Sequence, residues 1–414
     1  MLSRAQRHSG ALFLFAATFV ANVLAYGYQV VMARLLRPEE YAVLTALFGI
    51  LILESISSQV IQSATAKLAA QYRARNEEAA LHAFVRRWSV RVGSAAAGFG
   101  LLVALLSGVI ASVLALPAFS VALLGLALFL ALVFTFGLGL LQGLGRFVWM
   151  GSALIAQAGG RLAIGVALVL VGFGVDGAFS GATAAIAVSL IVLAIPLVPL
   201  FHAARRNTVL YELGAAETRF FALSAIVLLA YAALTNIDAV LARSLLRPED
   251  AGAYAGAITM GKIVLFAPIA IGFLLLERTA RAQARGEDTD RALFLALGFV
   301  LATSGLVAGA YVVMPEILVP IVVGSQYPET AKIVGTYGIA ALANALLNLW
   351  ISYFIGRGEM RVGLLLAGAV VVEVVLLVTS ATDPLTMARV VLVVALGTQA
   401  AAAATFLALR RRGG

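Results

Sequence analysis

Cysteine is missing from this 414-residue chain, which excludes disulfides, thiolate metal sites and a thiol nucleophile. Charge is scarce as well. Only 12% of the residues are Asp, Glu, Lys or Arg, against about 25% in an ordinary soluble protein. Histidine occurs three times, at His8, His82 and His202, without metal-ligand spacing. No nucleotide-binding motif is present, so nothing supports ATP-driven work or a bound cofactor. The stretch GLGLLQG (137–143) has the glycines of a phosphate loop but lies inside an apolar run. Its Gly139 and Gly143 form a GxxxG pair, a pattern suited to close helix packing.

What is present is apolar: 62% of the residues are hydrophobic. They fall into runs of about 20 to 28 residues, long enough to cross a bilayer as helices. Strands of a membrane barrel run to about 10 residues and alternate in polarity, which these runs do not. The spacing predicts an all-α polytopic membrane protein with twelve spans: 11–34, 42–66, 92–115, 119–143, 149–173, 177–201, 219–243, 252–276, 292–314, 330–355, 362–380 and 387–409. The first run is too long for a signal peptide and eleven more follow it, so it reads as a span.

The net charge of +9 is placed asymmetrically. With the N-terminus in the cytoplasm, 21 of the 29 basic residues fall on inner segments and span ends, six on outer ones and two, Arg161 and Lys262, inside spans. That is the positive-inside rule. The basic excess therefore reports topology and contact with anionic lipid headgroups, not nucleic-acid binding. It predicts a multi-pass protein of the plasma (inner) membrane with both termini cytoplasmic.

One charged turn is written twice. RLLRPEEYAVL (34–44) follows the first run, and RSLLRPEDAGAY (243–254) follows the seventh. Six spans separate them, an even number, so the two halves enter the membrane in the same direction. A pseudo-two-fold axis along the membrane normal is expected, as in transporters built from parallel repeats. The expected organisation is a six-helix lobe over 1–202, a cytoplasmic linker over 203–218 and a second six-helix lobe over 219–414. Pro38 and Pro248 suit the turn because proline ends one helix and can open the next. The acids that follow, Glu39, Glu40, Glu249 and Asp250, sit at a helix N-terminus, where the dipole favours negative charge.

Ionisable side chains deep in a span cost about 2.5–3.5 kcal/mol on insertion scales, so each invites a reason. Glu54, Arg161, Lys262 and Glu373 lie near mid-depth, and Asp238 lies in the outer third of span 7. Ser58, Gln62 and Thr65 share the helix side of Glu54. This stripe reads either as the wall of a polar cavity or as interhelical hydrogen bonding. Lys262 and Arg161 are the mid-membrane cations able to hold an anion, with a structural pair such as Lys262 with Glu54 as the other reading. Asp238 and Glu54 are candidates to carry a coupling H+ or Na+. For Asp238 the rival is an ion pair with Arg243 or Arg34. Glu373 stands in VVVEVVLL with no polar neighbour on its face and takes no assignment.

The repeated turn resembles the "LGPEEYG-Y" turn after spans 1 and 7 of polysaccharide exporters. These are Wzx-type flippases of lipid-linked oligosaccharides, in the MATE-like multidrug/oligosaccharidyl-lipid/polysaccharide superfamily. LLQGLGRF (140–147), NID (236–238), GKIVLFAPIAIGFLLLERTARA (261–282) and GSQYPE (324–329) add to the likeness. Arg37 and Arg247 depart from the glycine usual before the proline, and Glu277 from the usual proline. The resemblance implies two six-helix lobes around a central cavity that opens alternately to each side. It also implies flipping of a glycan on a polyprenyl diphosphate, driven in some members by an ion gradient, alongside polysaccharide assembly enzymes as partners. Two rival functions remain at this point. A cation-coupled multidrug exporter of the same fold would want acids and aromatics in its cavity. A membrane-embedded glycosyltransferase or ligase would need a large extramembrane segment with acidic groups, whereas the longest loops here are about 25 residues and basic.

Overall fold

A computed structural model describes residues 4–205, 215–265, 290–359 and 362–413. Every regular element in them is a helix. In chain order these are α1 (Arg4–Leu35), α2 (Pro38–Ala74), α3 (Glu78–Leu105), α4 (Ser107–Leu114), α5 (Ala118–Gly143), α6 (Phe147–Leu168) and α7 (Gly174–Arg205). Then come α8 (Ala215–Leu234), α9 (Ile237–Leu245), α10 (248–265), α11 (Asp290–Val313), α12 (Pro315–Val322), α13 (Thr330–Gly356), α14 (Val362–Ser380) and α15 (Pro384–Gly413).

The spans follow the apolar runs. A short π segment, Val169–Phe173, joins α6 to α7. Gly172 and Gly174 both take positive φ there, and α7 packs back along α6. Counting α6 and α7 separately, and α8 with α9 as one bent span, gives eleven spans among the described residues. The twelfth begins as α10. Its expected remainder to 276 lies outside the described residues, as do the inter-lobe linker from 206 and Glu277.

Span 7 is broken where the sequence suggests one continuous helix. The Thr235 hydroxyl bonds back to the Tyr231 carbonyl at 2.9 Å, and the Asn236 amide to the Ala232 carbonyl at 3.0 Å. Short polar side chains compete in this way with the helix's own hydrogen bonds. The chain bends by 40° at this point, and Asp238 falls in the first turn of α9.

Contact density divides the chain into two units. The first comprises residues 1–36 and 50–225, the second 37–49 and 226–414. In the first, α7 packs on α3, α5 and α6, and α1 on α6. In the second, α13 is central, flanked by α11, α12 and α15, with α14 on α15 and α9. Three hydroxyls fasten α10 there. Thr330 donates to the Ala253 carbonyl at 2.7 Å, Tyr311 to Met260 at 3.0 Å and Ser304 to Val264 at 2.8 Å. Both units turn apolar side chains outward, as lipid-facing helices do. Phe15, Leu105 and Val171 are each about three-quarters exposed, as are Leu306 and Val313.

The duplication is visible in backbone detail. The third span of each half is followed by an eight-residue helix, α4 or α12. α5 and α13 end in the same turn. The amide of Gly145 bonds to the carbonyl three residues back, and that of Arg146 five back. Gly358 and Glu359 repeat the pattern. Gly145 (φ 65°) and Gly358 (φ 77°) hold the left-handed position that this helix ending requires.

Candidate functional site

Asp238 is the centre of the polar interior of the second unit. It is 1% exposed. Tyr254 of α10 and Tyr337 of α13 both donate hydrogen bonds to its Oδ2, at 2.9 and 3.1 Å. Their rings meet edge to face, with centroids 5.5 Å apart. Tyr337 fits because residue 261 has no side chain: a Cβ there would lie 2.5 Å from its Cε1. Among the described residues the bonds to Asp238 come from these tyrosines and not from Arg243.

Glu373 stands on α14, which packs against α9, and lies within electrostatic reach of Asp238. It too is 1% exposed. Both of its carboxylate oxygens, and Oδ1 of Asp238, have no hydrogen-bond partner among the described residues. Two buried carboxyl groups that feel one another cannot both stay ionised in an apolar interior without a compensating charge. A cation or a proton taken up there would supply it. The ligands on offer are hard oxygens, suited to H+ or an alkali cation. No group of three metal-ligating side chains occurs among the described residues.

A second polar level lies further along α13, against α8. The Tyr231 hydroxyl of α8 donates to the Asn344 carbonyl of α13 at 3.1 Å. Thr330, Tyr337, Asn344 and Asn348 recur at spacings of seven, seven and four, so they share one face of α13.

The expected site residues are distributed between the two units. Ser58 bonds to Thr135 of α5 at 3.3 Å, and Gln62 to Gln142 of α5 at 3.0 Å. Thr65 is buried against the same helix, where a Cβ on Gly139 would meet its Cβ at 2.8 Å. The GxxxG pair thus seats α2 on α5, and the polar stripe supplies hydrogen bonds across that seam. Glu54, at the stripe's other end, is half-buried, with Oε1 lacking a hydrogen-bond partner among the described residues. Lys262 is half-buried on α10 in the second unit.

Arg161 is half-buried on α6, its guanidinium 5.8 Å from the centroid of the Tyr28 ring. The Tyr28 hydroxyl donates to the Ala178 carbonyl at 2.8 Å. In the repeat Tyr28 has a counterpart in register, and Arg161 one that is a residue out of register. Tyr28 and Asp238 each precede the repeated proline by ten residues. Arg161 follows its turn glycine by sixteen residues, and Glu373 by fifteen. The fifth span of each half therefore carries a charged residue at a similar depth, an arginine on an aromatic face in the first and a glutamate near a buried aspartate in the second.

Sequence reasoning singled out Asp238 but missed Glu373 as its neighbour, because the two lie on helices 135 positions apart. It also passed over Tyr254 and Tyr337. The seven-residue recurrence on α13 is the signal that could have found the second of these.

No protein-family model matches the chain, and no curated protein matches it in sequence. Solved structures do. An inward-facing multidrug resistance MATE family transporter of the MOP superfamily superposes with a TM-score of 0.77 at 13% identity, over 96% of both chains. A MOP superfamily transporter from Pyrococcus furiosus, described as having a binding pocket of reverse polarity that suggests a different function, gives 0.66 at 14% identity, over 98% of this chain and 96% of that one. A eukaryotic MATE transporter gives 0.64 at 13% identity, over 98% and 96%. The chain has the fold of MATE-type transporters.

Proposed function

We propose that the protein is a cation-coupled flippase that moves a polyprenyl-diphosphate-linked oligosaccharide or polysaccharide precursor across the plasma membrane by alternating access. The observation that carries this reading is the division of buried charge. Arg161 and Lys262 are cations in spans, fitted to an anionic cargo. Asp238 and Glu373 form a separate buried acidic pair, fitted to a driving H+ or Na+. A diphosphate leaving water needs positive charge and hydrogen-bond donors where it rests. The sugar would pass through a polar cavity, with Glu54 on its wall, while the lipid tail stays in the bilayer.

The fold also supports a second reading, export of drugs, since one similar structure is a multidrug resistance transporter. Deleting the protein from its host and weighing the accumulated lipid extracts separates the two. A flippase leaves its lipid-linked glycan at the inner face. A drug exporter leaves lipid intermediates unchanged and sensitises the cell to cationic compounds. Within the flippase reading, Lys262→Ala is expected to abolish flipping in an inserted, folded protein, and Lys262→Arg to retain part of it. Full transport by Lys262→Ala/Glu54→Gln would remove Lys262 from the cargo site.

A further inference from the structure

Asn344 is 5% exposed, and its Oδ1 has no hydrogen-bond partner among the described residues. It stands two turns along α13 from Tyr337, so the two levels lie about 10 Å apart at ~1.5 Å per residue. The register is regular. Tyr337 meets Asp238 of α9, and the Asn344 carbonyl meets Tyr231 of α8, seven residues on along α13 and seven back across the break in span 7. The second level lies toward the end of the lobe where α11 begins and α13 ends, which carries Arg291 and Arg357. It offers Asn344 Oδ1 and the Tyr231 hydroxyl oxygen, with the Asn348 side chain beside that hydroxyl. All of these groups are uncharged.

We propose that this level is a second, neutral stop for a monovalent alkali cation of the sodium class, through which the ion exchanges between the carboxylate pair and the basic end of the lobe. The proposal rests on the coupling role of Asp238 and Glu373 given above.

The physical need is plain. A cation crossing about 10 Å of apolar interior without oxygen ligands would face a desolvation cost of many kcal/mol. An intermediate site must be favourable enough to enter and weak enough to leave. Neutral amide and hydroxyl oxygens meet both conditions, whereas a third carboxylate would trap the ion. An acceptor left without a donor in a buried seam is also costly for the empty protein. An arriving cation removes that cost.

The test uses the full-length protein in proteoliposomes with radioactive sodium ion as the probe. Equilibrium binding and the exchange rate on isotopic dilution are both measured. Asp238→Asn and Glu373→Gln are expected to abolish equilibrium binding. Asn344→Leu is expected to leave affinity within threefold of the parent and to slow exchange at least tenfold. Tyr231→Phe, which removes one oxygen and keeps the ring, should slow exchange in the same sense and carries the test if the leucine variant fails to fold. Exchange within twofold of the parent in a folded Asn344→Leu or Tyr231→Phe protein, with binding still lost in Asp238→Asn, overturns the second stop alone. Sodium binding that survives both carboxylate substitutions overturns the coupling role of the pair and this proposal with it. Sodium binding absent from the parent overturns this proposal and leaves the proton as the coupling ion.

Discussion

Tyr337 donates to Asp238 across 99 positions of sequence, and the same hydroxyl contact orients the ring over Gly261. The tyrosine thus has two duties: holding one oxygen of a buried acid and filling the space that a glycine leaves beside it.

Removing the first duty should weaken the ion site. Hydrogen bonds to charged groups contribute about 1.5–3 kcal/mol. Tyr337→Phe is therefore expected to lower sodium affinity about tenfold or more. Tyr254→Phe should act alike, since it bonds to the same oxygen. Radioactive sodium binding to each purified variant measures the effect. Parental affinity in both would detach the tyrosines from the site.

Disturbing the second duty should cost stability. Gly261→Ala puts a methyl 2.5 Å from Tyr337 Cε1, and overpacking of this kind costs about 1–3 kcal/mol. Tyr337→Ala in the same chain should relieve the clash. A double-mutant cycle on melting in detergent would then show strong non-additivity. Additive losses would mean that the two residues do not meet.

Outside the spans, Asp383 caps α15. Its Oδ1 accepts from the Thr386 amide at 2.9 Å and its Oδ2 from the Thr386 hydroxyl at 2.5 Å. The Thr386 hydroxyl and then its amide hold the Asp383 carboxyl below the ordinary aspartate range. A group lowered in the folded state contributes stability that is fully present above the ordinary aspartate value and lost as pH falls through the folded one. Asp383→Ala should cost about 1 kcal/mol at neutral pH. The difference from the parent should vanish in strong acid. A constant difference down to the lowest tolerated pH would reject the cap.

Topology can be read directly, because the chain has no cysteine of its own. Cysteines placed at 86 and 281 should label only from the cytoplasmic side, and those at 250 and 326 only from outside. External labelling at position 281 would refute the twelve-span arrangement.

Much of the fold was legible because its determinants are local. Apolar run length set the spans, Pro38 and Pro248 marked the repeat, and Gly139 with Gly143 announced a close helix contact that the structure places against α2. The break in span 7 was not foreseen. Thr235 and Asn236 are only mildly unfavourable in helices, and what shows the break is the bonds they make to the preceding turn. The acidic site was half legible. Asp238 was conspicuous by its depth, whereas Glu373 sits in a run whose own face is apolar. The group that gives it meaning belongs to α9, and no periodicity within one helix can reveal a neighbour on another.

The matched turns at Gly145 and Gly358 bear on ancestry. If the halves descend from one duplicated gene, the features still shared are those a backbone cannot do without: a proline to open a helix, a glycine to close one, a short helix after the third span. The interior of the fifth spans, by contrast, differs in sign: arginine over tyrosine in one half, glutamate near aspartate in the other. Backbone turns and buried charge have therefore diverged to different degrees.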